Sequence, residues 1–224
     1  MLLQWDGPFP KVRSPLFASR VNCHEKILVL SGSLRKDSFN SRLANYISKN
    51  LPSGYEATSF DLGQIPLYNS DIDGENSPEG VVAFRDALKD ADGVFWTSPE
   101  YNYAIPGVVK NAIDWASRPM MPKNSIVGKP MNAVVATMSP TNGSRALADI
   151  KRIWNNCGGY SVMTYDTVLQ AAHTRFIDDN GTDSLEPMAK TTVDMCIANL
   201  VRAIELNAGA TPLANWEAFI ASMK

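Results

Sequence analysis

The chain has 224 residues, 21 of them basic and 23 acidic, for a net charge of −2. Such a length encloses one sizeable core without disulfides or structural metal, and near-neutrality disfavours nucleic acid or an anionic membrane as partner. Cys23, Cys157 and Cys196 lack metal-ligand and C-x-x-C spacing, and no apolar run approaches the ~20 residues of a bilayer span. Metal catalysis and a membrane span are therefore disfavoured, and a reducing, cytoplasmic setting is expected.

Residues 1–24 mix Trp5, three prolines and the basic Lys11, Arg13 and Arg20 without an apolar signal-peptide core, and read as an N-terminal arm. From Lys26 onward, short apolar runs alternate with helical periodicity, the signature of a parallel sheet built from strand–helix–strand units. Lys26–Ser31 predicts the first strand, and Phe39, Leu43, Ile47 and Leu51 recur every four residues on one helix face before Pro52-Ser53-Gly54 ends it. Tyr55–Phe60 predicts a second strand, and Asp61–Pro78, rich in Gly, Pro, Asn and Asp, a long loop of the kind that is often functional. A helix with Val81, Phe84, Leu88 and Ala91 inward leads to a third strand, Gly93–Thr97. Pro106 opens the next helix, which buries Val109, Ala112, Ile113 and Ala116. A fourth strand, Met131–Met138, precedes a helix with Leu147, Ile150 and Trp154 in register, and Ser161–Leu169 contains the fifth. Leu185, Met188, Thr192, Met195, Leu200 and Ala203 trace the last long helix. In the tail from residue 208, Leu213, Trp216, Phe219 and Ile220 have the spacing of a short docked helix. The expected fold is α/β, three-layered and doubly wound around a five-stranded parallel sheet, over residues 25–207.

Ligands of an open parallel sheet bind outside the carboxyl ends of its strands, where three loops converge. The first, Ser31–Asn40, joins a strand to a helix start and gathers backbone N–H groups, the hydroxyls of Ser33 and Ser38, the amide of Asn40 and the guanidinium of Arg35. These groups suit a terminal phosphate monoester. The loop lacks both G-x-x-x-x-G-K-[ST] and G-x-G-x-x-G, so neither triphosphate hydrolysis nor dinucleotide pyrophosphate binding is expected. The second, Ser98–Gly107, sets a planar aromatic and a carboxamide in a proline frame that suits the edge of a fused planar ring. The third is Ser139–Ser144. Glu100 and Tyr101 have the chemistry of a base and a proton donor, but no histidine or second carboxylate stands nearby in sequence to complete such a pair. Cys157, before Gly158-Gly159, reads as a helix-terminal thiol rather than a nucleophile.

Three segments together resemble the NADPH-dependent FMN reductase family, which includes azo, quinone and chromate reductases: G-S-L-R-K-D-S-F-N at 32–40, I-P-L-Y-N-S-D at 65–71, and S-P-E-Y-N-Y-A-I-P-G-V-V-K-N-A-I-D-W-A-S-R at 98–118. The resemblance implies a flavodoxin-like fold with strand order 2-1-3-4-5 and non-covalent FMN. It places Ser33, Arg35, Ser38 and Asn40, with backbone N–H groups near Leu34, on the FMN phosphate. Pro99, Glu100, Tyr101 and Asn102 match the segment lining the ring and ribityl chain, and Ser139 and Gly143 align with the third flavin loop, although Pro140-Thr141-Asn142 departs from the family's glycine-rich form. It further implies a homodimer or homotetramer, with Trp115, Arg118 and the 65–71 loop as interface candidates. NADPH or NADH would be the co-substrate, and a quinone, azo compound, flavin or metal oxyanion the acceptor. No catalytic side chain is expected, because the cofactor carries the hydride chemistry.

Two other readings compete. A flavodoxin-type electron carrier binds FMN but serves a protein partner, usually through an acidic surface, whereas this chain is nearly neutral and carries Arg35, Arg118, Arg145 and Arg175 around the loops. A nucleotide-binding regulator would use Asp61 on a ribose, but lacks the accompanying glycine pattern.

Overall fold

A computed structural model describes residues 24–120, 123–179 and 182–207. The N-terminal arm, apart from its last residue, and the tail helix from residue 208 lie outside the described residues.

Strands β1 (Glu25–Ser31), β2 (Tyr55–Ser59), β3 (Gly93–Ser98) and β4 (Pro130–Ala136) are parallel and adjacent in the order β2-β1-β3-β4. They alternate with helices α1 (Phe39–Lys49), α2 (Glu79–Asp90), α3 (Gly107–Ala116) and α4 (Ser144–Asn156). Because both sheet faces are covered, β1 has no polar side and its two residue sets feed two cores. Leu28 and Leu30 pack with Phe84, Trp96, Trp115 and Trp154 beneath α2, α3 and α4. Ile27 and Val29 pack with Leu43, Ile47, Phe95 and Leu200 beneath α1 and α5 (Pro187–Asn207). This is the expected three-layer, doubly wound arrangement.

The fifth strand position differs from the continuous strand expected within Ser161–Leu169. Two short strands, β5 (Tyr160–Ser161) and β6 (Val168–Leu169), both pair with β4, at Pro130–Met131 and at Val135–Ala136. The chain between them is longer than the stretch of β4 it passes, so it cannot remain in register and bulges outward. Met163 and Tyr165 stand 96% and 83% exposed there. Asn132 closes the resulting gap, its Oδ1 accepting from Ala133 N at 2.9 Å and its Nδ2 donating to Cys196 O at 2.8 Å.

A further hairpin, β7 (Phe176–Asp179) with β8 (Thr182–Leu185), was not expected from the sequence. Leu185 belongs to it and not to the last helix, which begins at Pro187, where Glu186 accepts from the N–H groups of Met188 and Ala189. The buried stripe of α5 is correspondingly shifted: Ala189, Val193, Cys196, Ile197, Leu200 and Ile204 face inward, while Met188 and Met195 are exposed. Phe176 anchors the hairpin by stacking on Phe39 with ring centroids 5.6 Å apart. Arg42 lies over the same ring and pairs with Asp183 at 3.1 Å.

Candidate functional site

The strand order reverses between β1 and β3, since the chain leaves β1 for one neighbour and returns to its other side. A cleft of about 380 Å³ opens above that point, within the size range of small-molecule and cofactor sites. Its lining comes from the ends of three adjacent strands: Ser33, Arg35, Ser38, Phe39 and Asn40 after β1, Pro99, Glu100 and Tyr101 after β3, and Ala136, Thr137 and Met138 at the end of β4.

The β1 loop lies close against β3 because residue 32 is glycine. A Cβ there would come 2.6 Å from Val109 Cγ2 and 2.9 Å from Ser98 Oγ. The loop then rises over β3, with Gly32 N–H donating to Thr97 O at 2.7 Å. Ser38 N-caps α1, its Oγ accepting from Asn40 N at 3.1 Å. Ser33 and Ser38 are both buried in the cleft wall and Arg35 is exposed above them. Among the described residues no hydrogen bond engages the backbone N–H of Leu34, Lys36 or Asp37. Hydroxyls, unengaged amides, a helix N-terminus and a guanidinium at one end of the cleft form an anion cradle.

Asn40 does more than the sequence reading gave it. Its Nδ2 donates to Ala136 O at 2.9 Å while its Oδ1 accepts from Ala136 N at 3.1 Å. Its own carbonyl accepts from Thr97 Oγ1 at 2.8 Å. A single residue that is almost wholly buried thus joins the loop after β1 to the end of β4 through its side chain and to the end of β3 through its backbone carbonyl.

The β3 loop ends in a tight turn in which Tyr101 and Ala104 exchange both backbone hydrogen bonds, at 3.0 and 3.1 Å. Asn102 and Tyr103 have φ of 50° and 65°, the two positive values that a type I′ turn demands. Asn tolerates this conformation; a tyrosine in it costs about 1–3 kcal/mol, and the Arg145 guanidinium 4.3 Å from the centre of the Tyr103 ring helps hold it. Asn102 therefore serves the turn and stands outside the cleft lining, whereas Pro99, Glu100 and Tyr101 contribute to it.

Glu100 commits one of its two carboxylate oxygens to a neighbouring element. Helix α4 is preceded at its N-cap by Gly143, with φ of 124°, and a glycine has no side chain with which to cap. Glu100 reaches across from the neighbouring loop, and its Oε2 accepts from Arg145 N and Ala146 N at 3.0 Å each. Its Oε1 is buried and has no hydrogen-bond partner among the described residues.

In the third loop, Ser139 Oγ accepts from Thr141 N and Asn142 N in a local turn, and neither Ser139 nor Gly143 lines the cleft. The wall there is Ala136–Met138. The sequence reading missed these residues and Phe39, although the predicted fourth strand ran through Met138 and the strand-end rule pointed to its last residues.

The other expected residues have different work. Trp115, an interface candidate, is fully buried and donates from Nε1 to Pro66 O at 2.8 Å. Together with Asn111, which bonds both Tyr68 N and Pro66 O, it straps the long 61–78 loop onto α3. Leu67 projects from that strap 84% exposed. Arg118 bonds Tyr68 Oη, and Arg175 pairs with Glu186, so neither lines the cleft. Asp61 caps the turn that follows it, accepting from Gly63 N at 2.9 Å. Burial pushes up the thiols of Cys157 and Cys196, which leaves both poor nucleophiles. Among the described residues no group of His, Cys, Asp and Glu is arranged to hold a metal, and no helix is long and apolar enough to cross a membrane.

A mononucleotide cofactor fits this arrangement: anion donors stand at the β1 end, an aromatic and a methionine at the β3–β4 end, and an orphaned buried acceptor beside them. Comparison with known proteins agrees. Residues 25–174 match the family described as NADPH-dependent FMN reductase. A 2-hydroxy-1,4-benzoquinone reductase of Burkholderia sp is 45% identical over 112 residues, 50% of this chain and 60% of that protein. A quinone reductase of Escherichia coli K12 is 38% identical over 130 residues, 57% of this chain and 68% of that protein. The solved structure of FerB, a flavoenzyme NAD(P)H:(acceptor) oxidoreductase from Paracoccus denitrificans, superposes with a TM-score of 0.67 at 28% identity, covering 81% of this chain and 96% of that one.

Proposed function

Because the chain belongs to the NADPH-dependent FMN reductase family, we propose that it is an NAD(P)H-dependent oxidoreductase that holds FMN and passes electrons to a quinone, azo compound, free flavin or metal oxyanion. The carrying observation is the two-ended cleft at the β1/β3 switch point. When bound, FMN supplies the hydride-accepting chemistry, so the protein's task is binding, orientation and solvent control.

Ser33, Ser38, Arg35 and the free N–H groups of the first loop would take the phosphate; Pro99, Glu100, Tyr101 and Met138 would border the ring. Asn40 keeps these walls in register through Ala136 and Thr97. Tyr101 and Met138 are more than half exposed at the cleft, which supports a broad, mostly apolar surface for acceptors, with the nicotinamide and the acceptor occupying it in turn, hence ping-pong kinetics. Residues 25–207 would form the whole cofactor domain, in a cytoplasmic homodimer or homotetramer in which the exposed Leu67 on its strap is an interface candidate.

The test is to load the protein with FMN, remove oxygen, add NADPH and follow visible absorbance. Bleaching that a quinone reverses is expected; bound FMN that NADPH leaves unbleached would refute the reductase and favour an electron carrier.

A further inference from the structure

We propose that the β7–β8 hairpin sets the cofactor's phosphate affinity from outside the cleft: Asp183, Arg42, Phe176 and Phe39 form one stack that ends at the Arg35 guanidinium and holds it ready for a phosphate monoester, with Phe176 as the positioning residue. The inference rests on the FMN-binding reading above. Arg35 and Phe39 both line the β1 end of the cleft, and the Arg35 guanidinium lies 6.0 Å from the centre of the Phe39 ring. Phe39 in turn stacks on Phe176, with ring centroids 5.6 Å apart and 25° between the planes. Arg42 lies over Phe176 at 4.5 Å, and its Nε pairs with Asp183 Oδ1 at 3.1 Å. Phe176, Arg42 and Asp183 stand outside the cleft lining.

Spacing and charge along the stack favour this use. Phe39 and Arg42 are three residues apart on α1, hence on one face, and both meet the hairpin there. Phe176 is buried in the core beneath α1 and α5, so that end of the stack is fixed. Asp183 balances the charge of Arg42, whereas among the described residues no carboxylate pairs with Arg35. The unbalanced charge of the stack is therefore the one at the cleft. Arginine grips phosphate through a planar fork, so the plane of the guanidinium matters as well as its charge. An exposed arginine loses rotamer freedom when it binds, and a ring held in place by the hairpin lowers that cost in advance.

Phe176→Leu keeps an apolar side chain in the core but removes the flat face on which Phe39 rests. The full chain is titrated with FMN and with riboflavin, which has the same ring and ribityl chain but no phosphate, and flavin fluorescence quenching gives both affinities. We expect Phe176→Leu to weaken FMN binding about three- to tenfold and to change riboflavin binding by less than about twofold, so that the preference for FMN falls. A purely structural role would lower both affinities together or neither. In an Arg35→Ala background the substitution should have little further effect on FMN, since both residues act on one phosphate contact. No preference for FMN in the wild type, an unchanged preference in Phe176→Leu, an equal loss for both ligands, or full additivity with Arg35→Ala would overturn the assignment and leave the hairpin a cover for the core. If Phe176→Leu does not fold, Asp183→Asn decides: it removes the charge that holds Arg42 at the far end of the stack and should lower the preference about twofold, and an unchanged preference overturns the assignment. A wild-type protein that binds neither flavin would refute the cofactor reading itself, a result distinguishable from each of these.

Discussion

Asn40 should prove to be a structural clasp that a phosphate-binding reading of its loop underestimates. Its carboxamide satisfies both the N–H and the C=O of Ala136, and all four groups lie in an environment almost closed to water. Asn40→Ala leaves that buried donor and acceptor unpaired. At about 1–3 kcal/mol for each orphaned group, less what relaxation recovers, the loss comes to roughly 3 kcal/mol. For a chain of this size that corresponds to a fall of about 6–12 °C in Tm. Asn40→Asp restores the acceptor for Ala136 N but sets a second carboxylate oxygen against Ala136 O. Burial without a cation raises the folded-state pKa of the new carboxyl above the unfolded value of about 4. Below that value both states are protonated, the carboxyl can donate to Ala136 O, and the deficit is smallest. It grows as pH rises from about 4 through the raised folded value. Urea unfolding of the FMN-free variants between pH 4 and 8 measures both effects. An Asn40→Ala protein within about 0.5 kcal/mol of wild type, inside the range of an ordinary surface substitution, would refute the clasp.

Ser38→Ala should cost about 1 kcal/mol through the lost cap and should also weaken FMN binding, whereas Ser33→Ala should weaken FMN binding with little change in urea midpoint; titration of both with FMN separates cap from cradle. Gly143→Ala should destabilise by about 2 kcal/mol or more, because φ is 124° and the new methyl would lie 2.3 Å from Val168 Cγ1; an unchanged Tm would contradict it. Burial, aided by Glu205, Glu25 and Asp92, pushes Tyr55 up to about 12. The folded state then holds that proton more tightly than the unfolded chain, whose tyrosine titrates near 10. Stability should fall between about pH 10 and 12 more steeply in wild type than in Tyr55→Phe, as chemical denaturation at stepped pH will show.

Local pattern in the sequence is enough for the alternating elements and the two loops after β1 and β3, since these rest on periodicity, turn chemistry and the two-sided burial of parallel strands, whereas the strand order came from the family resemblance. The Ser38 cap belongs to the same category as the elements, because its partner lies two residues along the chain, whereas the need for a small residue at Gly32 is set by Val109 and Ser98, which only folding brings beside it. What a side chain bonds across the fold is another matter. Asn40 and Ala136, Glu100 and the first turn of α4, and Trp115 and Pro66 are each remote pairs, and no spacing in the chain announces them. The β7–β8 hairpin was missed because its short segments carry too little apolar alternation to stand out; the break between β5 and β6 was missed because register is a property of two strands together. Of the residues that the family motifs singled out, Ser33, Arg35, Ser38, Asn40, Pro99, Glu100 and Tyr101 share one cleft at the edge of the sheet, but the partition of each one's atoms between scaffold and cleft was decided by tertiary contacts. An Asn or Glu with several hydrogen-bonding positions spends them on whichever groups folding brings within reach.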